Sequence, residues 1–274
     1  MEQTMKKFIK LAAAVSAALA TQYASAGAVT LYGDGGSINM PGTPSFQVAS
    51  VYENAVNAVG QELKGYGEIT QINGANIGTL CNGCELTFTF DSYIVNSISS
   101  TEATFTGGKV NVYLGFGGNN DLNPFTSASS AADVAAASNG ALFLTLTGHA
   151  IDGSGNTLAS TVFSGDLLGL AFTFFGGGLW DVDMAGAGLA NANFNTDSVL
   201  AAFGGNADFA FDTSGRTSGV PHPGECTQLA GASCVAGSAD IRGAVIPEPG
   251  TLALAGLGLM GLGFGSKRRK IAAC

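Results

Sequence analysis

Glu85-Leu86-Thr87-Phe88-Thr89-Phe90 alternates polar and apolar residues without a break, and that alternation decides the fold class. In an extended chain successive side chains point to opposite faces, so Leu86, Phe88 and Phe90 share one face while Thr87 and Thr89 share the other. Less regular versions of the pattern follow at residues 109–116, 141–147, 157–163, 170–174 and 207–211. Turn-forming residues separate them at Asn82-Gly83, Gly107-Gly108, Gly117 to Asn120, Asp152 to Gly155 and Gly176 to Gly178. Short strands joined by glycine-rich turns predict an all-β body over residues 27–245, which we expect to be a jelly-roll-like β-sandwich. No fixed-period repeat interrupts this reading, as a propeller or β-helix would require. Two short helices are expected, one opening at a capping box in Ser130-Ala131-Ala132-Asp133 and running to about Ser138, the other at Thr196 to Phe203 before Gly204-Gly205. Residues 214–246 are compositionally looser and end in a last expected strand at 239–245.

The two ends of the 274-residue chain carry different physics from the body. Lys6, Lys7 and Lys10 precede an apolar run from Leu11 to Ala20, and Ala24-Ser25-Ala26 supplies the small residues that a signal peptidase accepts, so residues 1–26 read as an export signal cut after Ala26. About ten apolar residues are too few to cross a bilayer. At the C-terminus Pro247-Glu248-Pro249-Gly250 precedes apolar Leu252 to Phe264 and the basic cluster Lys267-Arg268-Arg269-Lys270. The prolines disfavour helix before Gly250, so an apolar helix is expected over about 251–265, roughly 22 Å long against a hydrocarbon core of roughly 30 Å. It is a marginal span, with the basic cluster held on the cytoplasmic side.

The tail over residues 246–274 resembles the sorting domain of the PEP-CTERM family, substrates of exosortases in Gram-negative bacteria that make exopolysaccharide. The resemblance implies that Pro247, Glu248 and Pro249 are what the membrane transpeptidase recognises, that the apolar helix holds the chain in the inner membrane, and that Lys267, Arg268, Arg269 and Lys270 retain it. It implies passage through the inner membrane to the cell surface or medium, with signal peptidase and exosortase as processing partners and extracellular polysaccharide as a further candidate partner. The stretches 65–74, 81–88 and 192–196 also resemble a body found in several uncharacterised PEP-CTERM proteins, a likeness that carries no activity.

Between Gly27 and Ile246 only Lys64, Lys109, Arg216 and Arg242 are basic against eighteen Asp and Glu, a net charge of −14. Without a basic patch, nucleic acid is a poor partner. Export places Cys81, Cys84, Cys226 and Cys234 in an oxidising compartment, where two local bridges are the simplest pairing. A redox Cys-x-x-Cys wants a helix N-terminus in a βαβ unit, and a four-cysteine zinc site wants thiolates that survive export. His149, read as an exposed strand end, and His222, in a proline-flanked loop, lack ligands at metal spacing, and no Gly-x-Ser-x-Gly occurs. Gly256-Leu257-Gly258-Leu259-Met260-Gly261 imitates a dinucleotide fingerprint inside the tail helix, where no strand precedes it. Asp152, Ser154 and Asn156 have the first three spacings of a calcium loop, but position twelve is Phe163, so a turn is expected.

The reading is thus a structural or binding protein of the cell surface or matrix, with no catalytic set, metal or cofactor assigned. A secreted carbohydrate-active hydrolase is the alternative, using Asp181 and Asp183 beside Trp180. Ice binding through Thr87 with Thr89 and Thr145 with Thr147 is a weaker one, since no repeated array extends those rows.

Overall fold

The computed structural model describes residues 29–33, 36–225 and 234–246. Its strands are β1 (Val29–Gly33), β2 (Gly36–Met40), β3 (Ser45–Glu53), β4 (Glu62–Ile72), β5 (Ala75–Asn76), β6 (Cys84–Ile98), β7 (Glu102–Phe116), β8 (Ala141–His149), β9 (Leu158–Asp166), β10 (Ala171–Val182), β11 (Phe209–Arg216) and β12 (Val235–Gly243). Three helices punctuate them: α1 (Ile77–Leu80), α2 (Ser130–Ala137) and α3 (Asn191–Phe194). The signal segment, the sorting tail with its basic cluster and fingerprint-like glycines, and Cys226 lie outside the described residues.

The opening hexapeptide lies in β6 with the expected alternation. Leu86 and Phe88 are buried in the main core, and Phe90 packs against it. Their partners on β4 are Ile69, Gly67 and Gly65. At Gly67 a Cβ would run into the Phe88 ring and the Ser50 carbonyl, and at Gly65 into the Phe90 ring and the Tyr52 carbonyl. These glycines let the aromatic rings fold across the neighbouring strand. Gly67→Ala should therefore cost about 1–3 kcal/mol of stability, read as a lower denaturant midpoint, because the core has no space for the methyl group.

The all-β expectation holds, but the jelly-roll sandwich is not confirmed, because the wall closes on itself. Antiparallel ladders run β3–β4–β6–β7–β8–β10–β11–β12, and β12 then pairs with β3. Apart from that closing pair, and with β5 and β9 set aside, each ladder joins strands consecutive in the chain. A jelly roll needs Greek-key crossings between two sheets. Here the connections are those of an up-and-down barrel. Among these wall strands only β6 and β7 are joined by a short hairpin; the longer connections elsewhere still return each strand beside its predecessor, and strand twist carries the last strand round to the first.

One wall position is filled by two strands. Lys109 to Leu114 of β7 pair with β8, while Glu102 to Phe105 pair with β9. On the other side Leu179 of β10 faces His149, and the adjacent Gly178 faces Leu158. β8 and β9 are thus halves of one wall strand, with residues 150–157 looped out between them. The loop supports itself: Asp152 accepts hydrogen bonds from the Ser154 amide at 2.8 Å and from Asn156 Nδ2 at 2.6 Å, and the Ile151 amide donates to the Asn156 carbonyl. The expected turn is present, and the Asp152 oxygens are already engaged.

The barrel interior is packed, with cavities of about 40, 60 and 30 Å³. At one end α3 serves as a plug: Phe194 is fully buried, with its ring 5.6 Å from Phe209, 6.2 Å from Phe143 and 6.3 Å from Phe46. Outside the wall, α2 packs on β4 and β6 and covers Tyr66 and Thr87. Its N-cap is Ser129, whose side chain accepts from the Ala132 amide, one residue before the expected box. Ser130 is drawn instead to Glu225, and Asp133 to Tyr66. The helix expected at Thr196 to Phe203 is absent, since the buried carboxylate of Asp208 takes the Thr196 and Asp197 amides and holds the chain in a loop.

Candidate functional site

Barrel closure brings together four strands from opposite ends of the chain. Thr173, Arg216, Ala236 and Tyr52 form one register row across β10, β11, β12 and β3. Phe175, Ser214 and Ser238 form the next row. An open groove of about 450 Å³ lies over these strands, lined by Ser50, Tyr52, Thr173, Ser214, Arg216 and Ser238 and floored by small residues. No carboxylate is among its lining residues. Arg216 is exposed and, among the described residues, has no ion-pair partner. Exposed Phe125 stands edge-on to Tyr52 beside the groove, with ring centroids 6.3 Å apart.

The adjoining rim is tied down by a buried polar cluster. Tyr66 donates to Asp133 Oδ2 at 2.7 Å, and His222 Nε2 lies 2.9 Å from the same oxygen and 3.0 Å from Ser127 Oγ. Ser, His and Asp thus meet, yet both partners address one ring nitrogen. A nucleophile–base–carboxylate relay needs the two nitrogens to serve separate partners. The cluster instead binds the 217–225 segment to α2, with Glu225 accepting from the Ser130 amide at 2.9 Å. The Ser130 hydroxyl and amide keep the Glu225 carboxyl below its ordinary pKa. Sequence gave no sign of this cluster, because its members lie up to 95 residues apart.

His149 corrects its own expectation, since it is buried with 4% exposure. Its Nδ1 lies 2.8 Å from Asp181 Oδ2, and its Nε2 lies 2.7 Å from the Phe203 carbonyl, which can only accept. Burial lowers its pKa, but the Asp181 and Phe203 hydrogen bonds outweigh burial and the net shift is upward. With Nε2 donating to the Phe203 carbonyl, the ring clasps the 196–207 loop against the wall.

Asp181, Asp183 and Trp180 are not arranged around a common ligand. Trp180 faces the barrel interior, donates to the Tyr93 hydroxyl and stacks on Phe211 at 4.0 Å. Asp181 is taken by His149, and Asp183 accepts from the Ala185 amide at 3.0 Å. One threonine of each row is also engaged: Thr87 is bonded to the Ala137 carbonyl under α2, and Thr145 to the Asp183 carbonyl. Cys81 and Cys84 form a disulfide with Cα atoms 5.8 Å apart. It joins the end of α1 to the start of β6, and so staples a helix–strand junction where a strand hairpin was expected. Cys234 is buried and disulfide-bonded.

The family model of the PEP-CTERM protein-sorting motif matches residues 245–270. The chain carries a PEP-CTERM sorting domain. Its match begins at Val245, two residues beyond the last wall strand, and takes in Pro247, Glu248, Pro249 and the cluster from Lys267 to Lys270. The PEP-CTERM domain marks an exported protein processed by an exosortase. No curated protein and no solved structure matches the chain.

Proposed function

We propose that this exosortase substrate is a binding protein of the extracellular matrix, holding carboxylated polysaccharide along the groove over β10, β11, β12 and β3. The supporting observation is the groove's chemistry: an unpaired guanidinium among hydroxyls, without a carboxylate, on a body of net charge −14. A guanidinium fork matches a carboxylate in two parallel hydrogen bonds, Ser and Thr hydroxyls suit sugar hydroxyls, and exposed Phe125 offers an apolar face to a sugar ring.

In affinity electrophoresis the processed protein should be retarded by alginate and not by neutral dextran. Arg216→Ala should weaken alginate retention about tenfold, equivalent to one charge-assisted contact of about 1.4 kcal/mol. Equal retardation by both polymers, or an unchanged Arg216→Ala variant, would remove the groove from this function.

A further inference from the structure

We infer that the α3-plugged end of the barrel is a membrane-facing surface, resting on the lipid headgroups while the sorting tail is still attached. This rests on the tail being a membrane-inserted sorting signal. The wall strands fix which end is concerned: β10 ends at Val182, β11 begins at Phe209 and β12 ends at Gly243, all on the side that α3 closes. The chain leaves the barrel there under restraint. The Val245 amide donates to the Gly42 carbonyl at 2.9 Å, the Ile246 amide donates to the Asn193 carbonyl at 2.8 Å, and Asn193 Nδ2 returns a bond to the Ile246 carbonyl at 3.2 Å.

The distance to the membrane then follows from the sequence. Only Pro247 to Thr251 separate pinned Ile246 from Leu252, where the apolar run begins. The six Cα steps from Ile246 to Leu252 reach at most about 22 Å when fully extended. The headgroup layer takes roughly 5–8 Å of that reach. The plugged end is thereby kept within about 17 Å of the headgroups whenever Leu252 is at the hydrocarbon edge.

The surface so placed is apolar where it meets the bilayer. Met184 and Leu189 precede the plug at 54% and 59% exposure, and Ile246, bonded to it, is also exposed. Isolated exposed leucines need no explanation, but Met184, Leu189 and Ile246 together around a membrane exit do. Among the described residues, charged groups at this end include exposed Asp121, Asp197 and Arg242 and half-buried Asp183, with Asp208 buried and satisfied. Acids outnumber the one cation here, so anionic lipid gains no advantage and the contact is apolar.

Trp180 is the chain's single tryptophan and is buried, so a new tryptophan reports its own surroundings. The test uses full-length chain reconstituted in phosphatidylcholine vesicles, with lipid brominated at carbons 6 and 7 as quencher. Met184→Trp and Leu189→Trp should lose half or more of the added emission, while Val59→Trp, in the β3–β4 connection at the opposite end, should lose none. Chain that floats with the vesicles but shows no quenching at positions 184 and 189 overturns this inference alone. Chain that does not float at all overturns the inserted-tail reading and this inference with it. Equal quenching at Val59→Trp overturns the assigned orientation.

Discussion

Glu53→Gln is expected to stabilise the protein at pH 8 by on the order of 2–3 kcal/mol, and to change it little at pH 4.5. Glu53 ends β3 and lines two of the interior cavities beside Leu63, Leu158 and Thr213. Burial raises its pKa from 4.5 to about 8. Between those values the unfolded chain has released the proton and the folded chain keeps it, so stability falls as pH rises through the window. Glutamine keeps the shape and carries no charge to desolvate. Glu85 acts with the same sign: it is buried beneath the 117–122 turn, and desolvation raises its pKa to about 7 despite the Leu122 and Asp121 amides. The His149 clasp follows suit, because a raised histidine pKa gives stability that is complete below the unfolded value and lost as pH climbs through the folded one. Asp152, held low first by Asn156, opposes this only in stronger acid. Denaturant titrations at pH 5 and pH 8 should show the wild type more stable at pH 5, with the gap narrowed in Glu53→Gln. A flat wild-type profile would show that the interior carboxyl is hydrated.

Phe194→Ala should remove about 3–5 kcal/mol, the range for truncating a fully buried phenylalanine. The ring is the common neighbour of Phe46, Phe143 and Phe209, from three wall strands, so its loss leaves a void that no single side chain can fill. The loss is also directional. Amides bonded around the plug, at Ala190, Asn193 and Ile246, should exchange with solvent sooner in the variant than amides of β6 and β7. Uniform acceleration across the wall would mean that Phe194 supports the barrel as a whole and does not close one end.

The strands that announced themselves in the sequence were those whose alternation needed no partner to be understood. β6 is the clearest, with three apolar residues inward and threonines outward. β4 was hidden because Gly65 and Gly67 interrupt its alternation; they are there because Phe90 and Phe88 occupy the space of their side chains. Closure was also hidden, since the pairing of β12 with β3 joins residues nearly two hundred positions apart, and nothing local specifies it. The groove is a product of that closure. Arg216 was visible as one of four cations, but Tyr52, Ser214 and Ser238 become its neighbours only when the ring is complete. His149 was misread for a related reason: its carboxylate lies across a ladder and its carbonyl partner in a loop mistaken for helix.

The divided wall strand leaves the barrel one place where chain length is free. β7 and β10 hold β8 and β9 in a fixed line whatever lies between His149 and Leu158, and Asp152 organises that excursion from within. Insertions there would lengthen a surface projection without shifting any register, so the fold has a ready port for acquiring or displaying an epitope on the outer wall.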